Sequence, residues 1–178
     1  MQRPTSPDPI DDPQGYQQHL LGLLGDDDPA EIQLGAVARW RALLAEAGSD
    51  AARRPEPGEW SVVGCLGHAL DAELVMSARY RWILAHDEPP LLGYDQDLWA
   101  DRLHVDGEDP ELLIAILDPL KVANAELWKG AGPEDRERVG RHAERGPESF
   151  DLSYRMIAGH DRFHQAQAAR AIAAIRGA

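Results

Sequence analysis

The chain has 178 residues, a length that suits one domain and allows an apolar core to form without disulfides. Its formal net charge is −13, from 31 acidic and 18 basic residues, and a surface of that sign repels phosphate, so nucleic acid is excluded as the expected partner. A single cysteine, no secretory signal and no apolar run of membrane-spanning length predict a cytoplasmic protein with no membrane partner.

The N-terminal segment differs in composition from the rest of the chain. Residues 1–14 contain four prolines and little that could be buried, so they are predicted to form a flexible leader. Residues 15–178 are predicted to form one domain. After a short helix over residues 16–24, Asp28, Pro29 and Glu31 supply the cap, first-turn proline and acidic residue that open a long helix ending at Gly48.

A second long helix is predicted from the cap Ser61 to about Leu84. Counting about 100° per residue, His68 lies at the edge of its buried arc and is aimed towards the interior. Glu73 falls inside the arc, where an unpaired carboxylate is costly. It should therefore find a cation, a hydrogen-bond donor or a place beside a metal ligand. Cys65, also in the arc, is interpreted as a small core residue.

The second half of the chain predicts two more long helices and a long connection. Residues 86–106 contain three proline or glycine residues and a short helical stretch near 97–103, and could cover a site. Asp109 and Pro110 open the third long helix, in which Pro119 predicts a kink. A polar loop over residues 130–148 leads to Ser149, which caps the last helix. No segment shows the alternation of a strand, so the fold expected is all-α, a four-helix bundle with long loops.

The strongest chemical signal is a set of three histidines. His160 and His164 are four residues apart on the apolar stripe of the last helix, so their rings can share one metal ion. His68 faces inward from another helix at an equivalent depth. Three neutral imidazoles leave a coordination position open for water or substrate. No catalytic side chain is assigned, but Glu73 and Asp161 are candidates to hydrogen-bond the metal ligands.

The histidines admit three functional hypotheses. The first is an enzyme in which one divalent transition metal activates a small thiol for transfer, or water for hydrolysis, with a small-molecule substrate. The second is a non-catalytic metal-binding or stress-response module in which the ion is structural. In the third, hydrogen bonds satisfy the histidines and no metal binds. Zinc is the first choice of metal and nickel the second, with iron, cobalt and manganese as further candidates.

Two segments resemble the signature regions of the DinB-like superfamily, particularly its YfiT-like members. They are Trp60-Ser61 leading into residues 67–73, and residues 159–167, which contain the HxxxH pair. The likeness covers roughly residues 28–176. It implies a four-helix bundle with a histidine triad holding one metal, which maps onto His68, His160 and His164. It also implies a homodimer, and a range of activities that includes transferases using low-molecular-weight thiols, a mycothiol-dependent isomerase and hydrolases.

Overall fold

Capping side chains set where the long helices begin. The structure is a computed structural model that describes residues 7, 11–103 and 107–177. Four side chains in it accept a hydrogen bond from a backbone amide two or three residues further on, namely those of Asp28, Ser61, Asp109 and Ser149. These are the four caps that the sequence predicted. The helices are α1 (Pro13–Leu24), α2 (Pro29–Ala47), α3 (Val62–Ala85), α4 (Gln96–Leu103), α5 (Pro110–Gly130), α6 (Pro133–Glu137) and α7 (Phe150–Arg176), with a 3-10 turn at Gly48–Asp50.

The predicted four-helix bundle is confirmed, with α7 at its centre. Helix α7 packs against α1, α2 and α3, and α5 packs against α2 and α3. The core consists of two apolar clusters. One lies around Trp40 and Leu66, and the other around Tyr80 and Tyr154. Along α3, Leu70 belongs to the first cluster and Ala72 to the second, and along α7 the change falls between Ile157 and Ala168. The buried polar side chains of residues 68–73 and 160–164 therefore lie where the two clusters meet.

Three short strands are present although the sequence predicted none. They are β1 (Pro90–Leu91), β2 (Val139–His142) and β3 (Gly146–Ser149). Strand β2 pairs with β3 in an antiparallel hairpin and with β1 in parallel. Strands of two to four residues are too short to display an alternating pattern, so β1 was read as part of the connection over residues 86–106, and β2 and most of β3 as part of the polar loop over residues 130–148.

The predicted leader and connection are only partly described. Most of the leader, residues 1–14, lies outside the described residues, while α1 begins at Pro13 with Asp12 accepting from the amide of Gly15. The connection over residues 86–106 contains β1 and α4, and its residues 104–106 lie outside the described part of the chain. Among the described helices, none has the length and apolar character needed to cross a membrane.

Candidate metal centre

The structure brings the three predicted histidines together. One ring nitrogen from each of His68, His160 and His164 lies within 4.8 Å of the other two, and all three side chains are buried. The Nε2 atoms of His68 and His160 are 3.1 Å apart. The ring centroids are 4.3–5.0 Å from one another. The four-residue spacing on α7 places two of the rings one turn apart, and packing against α3 adds the third.

Two of the three rings are suited to act as neutral ligands by their surroundings. Burial, together with the adjacent His68 and Lys121, holds the pKa of His160 well below its ordinary value. Burial and the two neighbouring imidazoles do the same to the pKa of His164. Its Nδ1 lies 2.9 Å from Oε1 of Gln167, so Nδ1–H donates to the amide oxygen and Nε2 keeps its lone pair. The cluster therefore offers lone pairs near neutral pH.

The geometry fits one small transition metal ion. A tetrahedral ion with ligands at ~2.1 Å holds its nitrogens ~3.4 Å apart. This separation lies between the 3.1 Å that joins Nε2 of His68 to Nε2 of His160 and the 4.8 Å within which all three ligand nitrogens lie. Nδ1 of His160 is buried and has no hydrogen-bond partner among the described residues. Its Nε2 faces another imidazole nitrogen. The 3.1 Å contact between the two Nε2 atoms fits either one N–H···N hydrogen bond or a cation that both nitrogens share.

Trp60 forms one wall of the cluster. Its ring stacks on His164 with a centroid distance of 5.7 Å and an interplanar angle of 24°, and it lies 4.9 Å from the ring of His68. The residue precedes the cap Ser61, so the start of α3 fixes its place. A large aromatic side chain against two imidazoles limits their rotation and keeps water away from that side.

Glu73 and Asp161 lie beside the histidines but bind a buried lysine. Nζ of Lys121 donates to Oδ2 of Asp161 at 2.6 Å and to Oε2 of Glu73 at 2.9 Å. It also donates to Oε1 of Gln33 at 2.8 Å, while Nε2 of Gln33 donates to Asp161 at 2.7 Å. Asn124 donates to the second oxygen of Glu73 at 2.6 Å. Glu73 thus finds a cation, one of the partners that its buried position required.

This network holds opposite charges in the interior. Burial lowers the pKa of Lys121, but Asp161 and Glu73 more than offset that effect and hold the pKa above its ordinary value. Burial raises the pKa of Asp161 to about 6, an effect that the Lys121 ammonium opposes. Because α2, α3, α5 and α7 each contribute a member, the network fixes the helices around the histidines. A role for Glu73 or Asp161 in orienting a metal ligand stays a prediction.

A cavity of about 250 Å³ reaches the cluster at His160. Its walls combine apolar side chains, such as Met76 and Met156, with polar ones from the loop after β1 and the β2–β3 hairpin. His142, at the end of β2, is among the latter. The connection predicted to cover a site supplies residues 93–97 of this wall. The cavity gives a small molecule a place next to one of the three histidines.

Cys65 is not part of the cluster. The thiol is fully buried among apolar residues one turn before His68, and burial raises its pKa to about 12. A thiol in that state is protonated near neutral pH and is a poor metal ligand or nucleophile. This agrees with the interpretation of Cys65 as a core residue.

The bundle and the cluster define a helical-bundle protein with a three-histidine site. The chain belongs to the DinB superfamily, whose family model matches residues 34–168. A relative from Oceanobacillus iheyensis, named "Putative metal-dependent hydrolase OB0782", is 25% identical over 109 residues, which are 61% of this chain and 63% of that protein. The match thus spans less than two thirds of the relative's length.

A solved structure has the same architecture. YfiT from Bacillus subtilis, described as "a probable metal-dependent hydrolase with an unusual four-helix bundle topology", superposes with a TM-score of 0.74. The alignment covers 99% of this chain and 93% of YfiT at 15% sequence identity. At that identity the likeness establishes the fold.

Several residues around the site were missed by sequence reasoning. Lys121 and Asn124 share the buried face of α5 with Leu117 and Trp128. A polar residue at a position where the helical period places apolar ones would have indicated them in the sequence. Arg79 carries the same signal in α3. The contact between Gln167 and His164 follows from a three-residue helical spacing, but many exposed pairs share that spacing.

Proposed function

We propose that this protein is a metal-dependent hydrolase that holds one divalent transition metal ion on His68, His160 and His164. The observation that carries the proposal is the meeting of three buried imidazoles at the end of a cavity that is large enough for a small molecule. When bound, such an ion supplies a Lewis acid that activates water at neutral pH. The name of the Oceanobacillus relative agrees with this reaction class.

The residues of the chain have separate roles in this proposal. The three imidazoles hold the ion, and Gln167 keeps the Nε2 lone pair of His164 directed at it. Trp60 excludes water from one side. The Lys121 network secures the helix segments that present His68 and His160. Because only three protein ligands are offered, a fourth position is left for water or substrate.

The cavity favours catalysis over a purely structural ion. A structural zinc site is normally closed by four protein ligands, whereas this cluster offers three and is reached by a cavity at His160. We propose zinc as the metal, with nickel second, because imidazole ligands suit both. Action on a low-molecular-weight thiol, a homodimeric state and a cytoplasmic location stay predictions.

Metal binding is tested first. Protein purified without a histidine tag is dialysed against zinc and its metal content is measured by elemental analysis. We expect about one equivalent in the wild type and a large loss in His160→Ala. His86→Ala is the matched control, because His86 is exposed at the end of α3 and should leave the metal content unchanged. Equal metal content in wild type and His160→Ala would refute the site.

Activity is tested on the loaded protein. A panel of esters, amides and lactones is assayed with wild type, His160→Ala and His86→Ala, and the same proteins are incubated with small thiols and a model electrophile. Hydrolysis that depends on His160 and on metal supports the proposal. Thiol transfer with no hydrolysis would replace it with the transferase. If neither reaction occurs while a chelator strongly lowers the thermal midpoint, the ion is structural.

A further inference from the structure

A buried arginine lies in the wall of the cavity without a carboxylate partner. Arg79, on α3, is 3% exposed and lines the cavity that ends at His160. Among the described residues, no carboxylate oxygen lies within ion-pair distance of its guanidinium, in contrast to buried Lys121 with its two carboxylates. Buried charges are normally paired, because removing an ion from water is costly. Arg79 therefore needs an explanation.

The contacts of Arg79 leave donors unsatisfied. Nη2 donates to the carbonyl of Leu92, and Nη1 lies 3.6 Å from the sulfur of Met76, a weak acceptor. Nε is buried and has no hydrogen-bond partner in the described part of the chain. Burial, followed by the charge of nearby Arg145, lowers the pKa of Arg79. An arginine pKa starts so high that the group still stays charged.

His142 adds a second unsatisfied donor. Nη2 of Arg79 lies 3.2 Å from Nε2 of His142, and the amides of Glu144 and Arg145 lie 3.2 and 3.4 Å from Nδ1 of the same ring. Burial and the two arginines lower the pKa of His142 to about 4, so the ring is neutral. A neutral imidazole has one acceptor nitrogen. Whichever nitrogen holds the proton, donors on one side of the ring lack an acceptor.

The neighbouring Arg145, unlike Arg79, has a buried carboxylate partner. Arg145 is paired with the fully buried Glu148, through its Nε and through Nη2 at 3.1 Å. Arg79 has no such ion-pair partner among the described residues, so its charge is not neutralised by direct contact. Asp95, Asp97 and Glu144 also line the cavity, but all three are exposed, and one oxygen of Asp95 caps α4 by accepting from the amide of Leu98.

We propose that the Arg79 end of the cavity binds the carboxylate of the substrate, while the substrate's reacting group lies at His160. The substrate class is thus a small organic acid. A carboxylate supplies the acceptors that Arg79 and His142 lack, and its planar pair of oxygens matches a guanidinium. The assignment of the reacting end rests on the proposed function, but the carboxylate subsite at Arg79 does not.

The dimensions suit an acid with an apolar body. Ala72 and Met76 line the cavity one helical turn apart, so it follows α3 for at least ~6 Å. Leu20, Met156 and Ile157 supply the apolar walls. A compact hydrocarbon group between the carboxylate and the reacting bond would contact these side chains. Charge and apolar surface together would select such acids over neutral molecules of the same shape.

To test the subsite, metal-free wild-type protein is titrated with benzoate, and binding is monitored by chemical-shift changes in two-dimensional NMR spectra. Benzamide is the neutral probe of the same shape, and phenylphosphonate tests a different oxyanion. We expect benzoate to bind more tightly than benzamide, and Arg79→Gln to weaken benzoate binding ~10- to 100-fold, because a charge-assisted contact is lost. Arg41→Gln is the matched control, since Arg41 is exposed and pairs with Glu111 on a distant surface.

Arg79→Lys serves if the glutamine variant does not fold. It keeps the charge but loses the planar fork, so benzoate should bind more weakly than to wild type and still more tightly than benzamide. Equal binding of benzoate and benzamide to wild type, no benzoate binding, or unchanged benzoate affinity in a folded Arg79 variant would each overturn the subsite. Tighter binding of phenylphosphonate than of benzoate would overturn the choice of carboxylate.

Failure of the proposed function has a separate signature. Because benzoate is titrated without metal, binding that depends on Arg79 can persist in a protein that takes up no zinc. Conversely, if the protein binds one equivalent of zinc but does not bind benzoate, the metal site is supported and the carboxylate subsite is refuted. With metal present, His160→Ala should leave the preference for benzoate over benzamide intact, since the carboxylate is bound at the other end.

Discussion

Replacement of Lys121 by methionine should be among the most damaging single changes in the bundle. The side chain is 1% exposed, and its ammonium lies 2.6 Å from Asp161 and 2.9 Å from Glu73. Methionine has a similar length but no charge. The two carboxylates would stay buried without a cation, and Gln33 would lose the donor to its amide oxygen.

The size of the effect follows from the broken pairs. Removing one partner of a buried ion pair typically costs ~3–5 kcal/mol, because the remaining charge is left uncompensated. That is a large part of the ~5–15 kcal/mol by which a domain of this kind is stable. The loss should depend on pH. Without Lys121 the pKa of Asp161 rises beyond about 6, so the folded variant takes up a proton at higher pH than the wild type. Its deficit therefore shrinks as pH falls from 8 to 6.

Urea denaturation of both proteins at pH 8 and pH 6 measures these quantities. Lys129→Met is the matched control, because Lys129 lies on the same helix but is exposed, and we expect a change below ~0.5 kcal/mol. A loss at pH 8 that is no larger than that of the control would refute the reasoning. A deficit that grows towards pH 6 would show that Asp161 does not take up the proton.

Two further predictions concern packing and protonation. A Cβ at Gly159 would lie 2.0 Å from the carbonyl oxygen of Leu20 in α1, so Gly159→Ala should lower the free energy of unfolding by ~1–3 kcal/mol. A Cβ at Gly35 in α2 would meet nothing within 4 Å, so Gly35→Ala should raise the free energy of unfolding by ~1 kcal/mol. Thermal and urea midpoints measure both, and equal effects would contradict the packing argument. In metal-free protein, burial lowers the pKa values of His160 and His164, so these rings stay neutral in the folded state while the unfolded chain takes up protons. Each such histidine should therefore lower the free energy of unfolding as pH falls below 6.5, with a slope that approaches ~1.4 kcal/mol per pH unit. Asp161, with its raised pKa, acts in the opposite direction below about pH 6. Urea titrations at pH 6.5 and 6 test this, and a slope unchanged in His164→Gln would contradict it.

The sequence was sufficient to predict the four long helices and the candidate ligands, but not the five-residue helix α6, which lies in the predicted polar loop. Caps such as Asp28 and Ser149 are local signals, because the side chain that accepts the hydrogen bond lies within three residues of the donor. The apolar period of α7 gave the inward direction of His160 and His164 in the same local way. The inward direction of His68 was predicted from the apolar period of α3. Its place beside the other two histidines required only the assumption that α3 packs against α7.

The partners of the buried charges depended on the tertiary structure. Lys121 reaches Asp161 across 40 positions of sequence and Glu73 across 48, and Arg79 meets His142 across 63. No local pattern encodes such distances, because they depend on how the helices pack and on where a short β-hairpin folds back. A helical period could thus show which residues face the core, but only packing decided which carboxylates found a cation and which arginine was left without an anion.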